Sequence, residues 1–433
     1  MEHILEKLDL EKTGLSRQVD EGIEENRKGT FALRVTDQNG EPVPGAAVEL
    51  AQMSHDFRFG CNSFMLDGFP NAGMNETYER LFGNLFNLAV VPFFWGDYEP
   101  EEGKFRFDAN SEKRYRRPTP DRVLQFCREH DILPKAHNLI YNRDFALPTW
   151  LPKDRSDVFG WVEKYFRAVA GRYAGQVPIW DVANEVLTRK ADEIMPQGYL
   201  WDAYRLAGEL FPKDSLFVNE DSRVSWLDFW WDTSPYYFYI DAMLQRGLRV
   251  DGIGMQYHLF YPRESLTTSA AGMLDAERIL QVLWQYNRFG RPMHISEITL
   301  PAYGTSAREE EFQAQLAENL YRLWFSQPGV EAIVWWNFAD GYAHVLPNWD
   351  ENSYYGGLIR KDLTPKPVYR VLERLIQQEW RTAASTTSDA AGNAAFRGFY
   401  GRYQAKVSCG GQVATVELNC AKGSDEVKEI RLG

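Results

Sequence analysis

PIWDVANEV (178–186) is a short, largely apolar run ending in Asn184 and Glu185, preceded by WVEKYFRAVAGRY (161–173), which has helical spacing. The same kind of run recurs along the chain. FRFGCNSF (57–64), LAVVPFFW (88–95), LPKAHNLIY (133–141), SLFVNED (215–221), VDGIGMQYHL (250–259), PMHISEITL (292–300) and AIVWWNFAD (332–340) bring the number to eight. Each is followed by a helical pattern, such as ETYERLFGNLF (76–86), DRVLQFCREH (121–130) or EEEFQAQLAENLYRLWF (309–325). The closing pattern, PKPVYRVLERLIQQ (365–378), carries proline at its start, where a helix tolerates a missing N–H. Near-continuous apolar strands joined by crossover helices imply a parallel sheet covered on both faces. Eight such units over roughly 320 residues predict an α/β fold, a closed (β/α)8 TIM barrel at 57–382 with enlarged loops. An open doubly wound sheet is the structural alternative.

The two chain ends read differently. Residues 1–27 form a charged amphipathic pattern, expected to be an N-terminal helix. TFALRVTDQNGEPVPGAAVEL (30–50) has two β-like runs flanking Asn39-Gly40 and Pro-Gly turn chemistry. AAFRGFYGRYQAKVSC and QVATVELNC alternate in the same way around Gly410-Gly411. Segments 28–56 and 383–433 are therefore expected to combine into a small accessory β-sandwich-like module. In that hairpin Cys409 should lie near position 412 and not near Cys420.

The chain carries 61 acidic against 48 basic residues, a net charge of −13, which gives no footprint for nucleic acid or an anionic membrane. No uncharged stretch approaches the ~20 apolar residues of a membrane span. The N-terminus has no apolar core of a signal peptide, so a cytoplasmic location is expected, or secretion if a leader has been removed. The cysteines at 61, 127, 409 and 420 show neither C-x-x-C nor histidines at zinc spacing, so neither metal nor cofactor is expected. Oligomeric state stays open, a dimer included.

In a barrel of this kind, functional residues cluster at the C-terminal strand ends. Those ends carry His137 and Asn142, Asn184 and Glu185, Asn219-Glu220-Asp221, Gln256 and His258, Glu297, and Trp336 with Asp340. So many polar strand ends point to one shared site. Glu185 and Glu297 both follow dense apolar runs and must enter a partly desolvated cavity. Two carboxylates across a cleft are what glycoside hydrolysis requires, one ionised and one protonated. Asp181 lies deeper in its strand and reads as an internal hydrogen-bonding group.

At these residues the chain resembles the glycoside hydrolase family 10 xylanases. WDVANE is similar to that family's acid/base motif and HISEI to its nucleophile segment. AHNLIY with LPTW, VNED, DGIGMQYH, WWNFAD, EPEEGKFRFD (99–108) and PKPVYRVL agree in order, over about 57–380. The resemblance implies Glu185 as general acid/base and Glu297 as nucleophile. It further implies Asn184 on the sugar 2-hydroxyl, His258 orienting Glu297, His137 and Trp336 lining the cleaved sugar, and Gln256 placing the catalytic groups. The implied reaction is retaining cleavage of β-1,4-xylosidic bonds in xylan or xylo-oligosaccharides, with carboxyls ~5–5.5 Å apart. Its partner would be a β-linked plant polysaccharide or oligosaccharide.

Several positions depart from the family. The Glu-Asn-x-x-Lys element that grips the next sugar is replaced by the shorter PFFWGDYEP. His344 stands where a tryptophan is expected, Tyr141-Asn142 where Trp-His is usual, and Thr299 where an aspartate is common. Phe93, Phe94 and Trp95 either form an apolar glycone wall or pack as core. These changes fall on substrate contacts, so Tyr141, Asn142, His344 and Trp95 join the candidate binding residues. They also keep open an exo-acting or differently specific β-glycosidase, and, from another class, a non-catalytic carbohydrate-binding barrel.

Overall fold

The computed structural model describes residues 2–152, 158–188, 194–424 and 426–433. Strands β1 (Lys28–Thr36) and β2 (Ala47–His55) precede the eight barrel strands. These are β3 (Arg58–Asn62), β4 (Leu88–Pro92), β5 (Leu133–Tyr141), β6 (Ile179–Asn184), β7 (Ser215–Glu220), β8 (Gly252–His258), β9 (Met293–Thr299) and β10 (Val330–Trp335). They close in sequence order, β10 pairing with β3, and every pairing is parallel. The expected (β/α)8 barrel is thus observed. Strands such as β4, β8 and β9 are buried almost throughout because one face fills the barrel and the other meets helices. Packing inside is tight: a Cβ on Gly252 would sit 2.0 Å from the Phe217 ring.

The N-terminal pattern is not one helix. Helices Glu2–Leu5 and Ser16–Arg27 are separated by turns. The Asp9 carboxylate accepts from the amides of Glu11 and Lys12, and Gly14 has a φ of 73°, which the helical ladder cannot continue through. This detour buries Leu8 and Leu10 against the barrel, where the Leu10 amide donates to Asn319 Oδ1 at 3.1 Å.

After the short hairpin β11 (Val345–Leu346) and β12 (Trp349–Asp350), five strands complete the chain. They are β13 (Ala383–Thr387), β14 (Asn393–Phe399), β15 (Gly401–Cys409), β16 (Gln412–Cys420) and β17 (Lys428–Arg431). One sheet runs β14-β1-β17 and the other β13-β2-β15-β16. Alternation in β2 and β15 sends Val48, Leu50, Tyr403, Ala405 and Val407 into one core with Phe31, Leu33, Val35, Phe396 and Ile430. Neither chain end has a complete sheet without the other. In the β15–β16 register Cys409 faces Gln412, while Cys420 lies opposite Gly401.

Aromatic packing joins this module to the barrel floor. Trp380 stacks on Phe325 with ring centroids 4.1 Å apart, and Phe57 and Phe399 pack against the same Phe325. Beside them the buried Arg27 donates to the carbonyls of Phe325, Gln327 and Val330. Desolvation pushes its guanidinium down to about 9. Replacing Trp380 with alanine should cost about 3–5 kcal/mol, read as a lower denaturant midpoint, because the indole fills a closed aromatic cluster. An unchanged midpoint would show that the cluster does not carry the junction.

Candidate active site

The polar strand ends surround a cavity of about 540 Å³, a volume suited to a few sugar rings. His137, Tyr141, Asn184, Glu185, Gln256, His258, Glu297, Trp336 and His344 all line it. They come from β5, β6, β8, β9 and the segment after β10, so only the closed barrel brings them together.

Glu297 on β9 is 4% exposed. Its Oε1 accepts from Asn219 Nδ2 at 2.8 Å, and its Oε2 lies 3.2 Å from His258 Nε2. His137 Nδ1 is 3.7 Å from Oε1 and 3.0 Å from Asp181 Oδ2, while Lys135 Nζ meets the other Asp181 oxygen at 3.0 Å. Burial would raise the Asp181 carboxyl, but Lys135 and His137 outweigh it and hold the group below its ordinary value. For Glu297 the balance is opposite. Burial pushes it up to about 8, the Glu185 charge adds to that, and His137 and the Asn219 bond oppose it without prevailing.

His258 Nδ1 lies 2.9 Å from the Thr299 hydroxyl. Burial brings the imidazole down to about 4, so the ring is neutral at pH 7. A Thr299 hydroxyl donating to Nδ1 leaves the proton on Nε2, aimed at Glu297.

Glu185 follows β6 with a φ of 51°, a left-handed conformation that is costly for a non-glycine residue and common at functional sites. The Asn219 carbonyl receives its amide at 3.0 Å. The Tyr141 hydroxyl donates to Oε2, and Gln256 Nε2 donates to Oε1 at 3.3 Å. Glu220 is fully buried behind it, where Oε1 accepts from the amides of Val186 and Leu187 and so pins the turn carrying Glu185.

Two expected binding residues do not line the cavity. Trp95 opens a single helical turn, stacks on Tyr165 at 4.8 Å and donates from Nε1 to Glu99 at 2.6 Å. Phe93 is likewise core, against Tyr173 and Trp180, and only Phe94 of the three faces the cavity. Asn142 follows the inward-facing Tyr141 and points the other way, its Oδ1 accepting from the amides of Ile194 and Met195. Asp340 pairs with Lys366 at 3.1 Å and is not among the lining residues. Sequence reading missed Phe64, Arg116, Arg117, Phe260, Trp349 and Glu351, all on the cavity wall. Most lie on irregular loops, where no periodicity marks which way a side chain points.

A closed (β/α)8 barrel with two glutamates on one cavity at the C-terminal strand ends defines the architecture of the barrel glycoside hydrolases. Residues 78–374 match the model of Glycosyl hydrolase family 10, and the chain belongs to that family. Anti-sigma-I factor RsgI6 of Acetivibrio thermocellus is 26% identical over 422 residues, covering 94% of this chain and 49% of that protein. Endo-1,4-beta-xylanase 2 of Arabidopsis thaliana is 24% identical over 416 residues, covering 93% of this chain and 34% of its own length. The chain thus spans half or less of the length of these relatives. Xylanase 10B of Thermotoga petrophila, solved with xylobiose, superposes with a TM-score of 0.59 at 20% identity, over 75% of this chain and 95% of that one. Native xylanase 10B of Thermotoga maritima gives 0.59 at 21% identity, over 75% and 96%. These superpositions establish the shared fold.

The raised Glu297 has a consequence for stability. A carboxyl whose folded value lies above its unfolded value favours the folded state at acid pH, and that contribution is lost as pH rises from 4.5 through about 8. Glu297→Gln should therefore melt above the parent at pH 9 and level with it near pH 4. A gap independent of pH would contradict the assigned burial.

Proposed function

We propose that the chain is a retaining glycoside hydrolase that cleaves β-1,4-xylosidic bonds in xylan or xylo-oligosaccharides by double displacement. The observation that carries this reading is the pair Glu185 and Glu297 on one cavity, each held by its own neutral donors. Family membership and the curated relatives named endo-1,4-beta-xylanase support the substrate.

In the first step Glu297 attacks the anomeric carbon while Glu185 gives its proton to the departing oxygen. The glycosidic bond breaks as the glycosyl–Glu297 ester forms. Esterification removes the negative charge on Glu297, so Glu185, now deprotonated, takes a proton from water. That water attacks the anomeric carbon and releases Glu297. His258 and Asn219 steady the nucleophile. Tyr141 and Gln256 fix the carboxyl plane of Glu185, and Asn184 is placed to meet the sugar 2-hydroxyl.

Attack requires ionised Glu297, so kcat/KM should fall as pH drops through about 8, with Glu297 protonation setting the limb. Thr299 contributes to this setting because a neutral hydroxyl leaves His258 uncharged. Thr299→Asp should hold His258 as imidazolium and move the acidic limb to lower pH. A limb that stays in place would exclude the Thr299–His258–Glu297 relay.

Glu297→Ala should abolish turnover on every substrate. Glu185→Ala should retain glycosylation of aryl glycosides whose leaving group needs no proton, with azide restoring release of the second product. Equal loss on activated and unactivated substrates would overturn the two roles. One observation favours a second reading, a glycan-binding module without turnover: the relative aligned over 94% of this chain is named an anti-sigma-I factor. Product analysis on xylan, glucuronoxylan, mixed-linkage glucan and aryl glycosides separates these readings, since binding with no product from any of them selects the second. Products released one unit at a time, or only from a non-xylan glycan, would select an exo-acting or differently specific β-glycosidase.

A further inference from the structure

The cavity wall is unevenly charged. Arg116 and Arg117 lie on it, 4% and 8% exposed, in the loop after β4. Their guanidiniums lie 5.6 Å from the Phe64 ring centroid, and that of Arg117 is 4.0 Å from Phe94. Phe64 in turn packs on Trp336, and Phe94 on His137. The arginines are thus one aromatic layer away from the expected cleavage site.

Their compensation is incomplete. Arg117 Nε meets Asp97 at 2.6 Å, but Arg114 approaches the same carboxylate at 3.8 Å. Among the described residues Arg116 bonds only to neutral oxygens, the carbonyl of Tyr342 and Asn337 Oδ1, and its buried Nε has no partner there. Glu351 is near enough to act on it by charge, yet its Oε2 is held by Asn337 Nδ2 at 2.7 Å. Arg114 also has Glu112 at 3.6 Å, so the three guanidiniums have three carboxylates nearby, but none of these is bonded to Arg116. A third polar group on this wall, the Nε2 of His344, is also buried without a hydrogen-bond partner among the described residues. Leaving a desolvated cation short of an anion is expensive, and a guanidinium is shaped to grip a carboxylate with two parallel bonds.

We propose that this wall binds the carboxylate of a hexuronic acid, so that the preferred glycan is a β-linked chain carrying glucuronic-acid-type units. The inference rests on the glycosidase reading above and narrows its substrate. It fits the altered glycone segment, where PFFWGDYEP stands in place of the Glu-Asn-x-x-Lys element and the loop behind it supplies arginines. The net charge of −13 disfavours long polyanions, whereas an isolated carboxylate meets a local cationic pocket. A uronic acid is present in the chain itself or as a branch, and either source offers the same carboxylate.

Calorimetric titration of this chain carrying Glu297→Gln tests the proposal. The ligands are xylotetraose, the same chain with a 2-O-linked glucuronic acid branch, the same chain ending in glucuronic acid, and both acidic ligands with the carboxyl reduced to an alcohol. One acidic ligand should bind about tenfold tighter than xylotetraose at low salt, and its identity says whether branch or chain unit is read. Reduction of the carboxyl, or salt near 0.5 M, should erase the gain. Arg116→Gln should erase it too, with affinity for xylotetraose kept within about twofold. Equal affinity for neutral and acidic ligands overturns this inference alone. Binding of none of them overturns the glycosidase reading along with it.

Discussion

The side chain of Asn219 ties the working end of the barrel together. Its amide nitrogen donates to both Asn184 and Glu297, its oxygen accepts from the Ser296 hydroxyl, and its backbone carbonyl receives the Glu185 amide. One residue on β7 thereby sets the positions of both glutamates relative to β6 and β9. In a buried site a bond of this kind is costly to leave unmade, so each donor restricts where its partner can go. Gly254 on β8 permits the arrangement, since a Cβ there would lie 2.3 Å from Asn219 Oδ1.

A second layer of charge lies below. Lys135, Asp181 and His137 form a buried chain inside the barrel, with His137 reaching toward Glu297. Burial acts on Asp181 and Glu297 alike, yet the two end on opposite sides of their ordinary values. Asp181 has a lysine and a histidine in direct contact, while Glu297 has a neutral amide, the neutral His258 and a neighbouring glutamate, with His137 farther off at 3.7 Å. The identity of the partners decides in which direction each carboxyl is shifted.

The two halves of the chain's periphery obey a different rule. The sheets built from 28–55 and 383–431 meet in one apolar core, and Arg27, Trp380 and Phe325 fasten that unit to the barrel floor. The polar side chains of the cavity stay at the opposite end, at the C-terminal strand ends where barrels of this kind carry their chemistry.

Eight apolar runs with helical patterns between them were enough to specify the barrel, because strand burial on both faces leaves a direct mark on composition. The strand-end residues His137, Asn184, Glu185, Gln256, His258 and Glu297 were legible because polar groups ending several apolar runs point to one shared cavity, although Asn142 and Asp340 end runs of the same kind and do not line it. Irregular loops carry no such mark. Trp95 and Asn142 sit beside residues that face the cavity, and a one-turn helix or a single residue of alternation turns them away. Arg116 and Arg117 reach the wall only through the path of a long loop. The sequence by itself determined the fold and the placement of Glu185 and Glu297 at strand ends, since both follow from local pattern. The tertiary structure alone decided the cavity's charge and its outer walls, because those depend on which distant loops converge and which buried groups find partners.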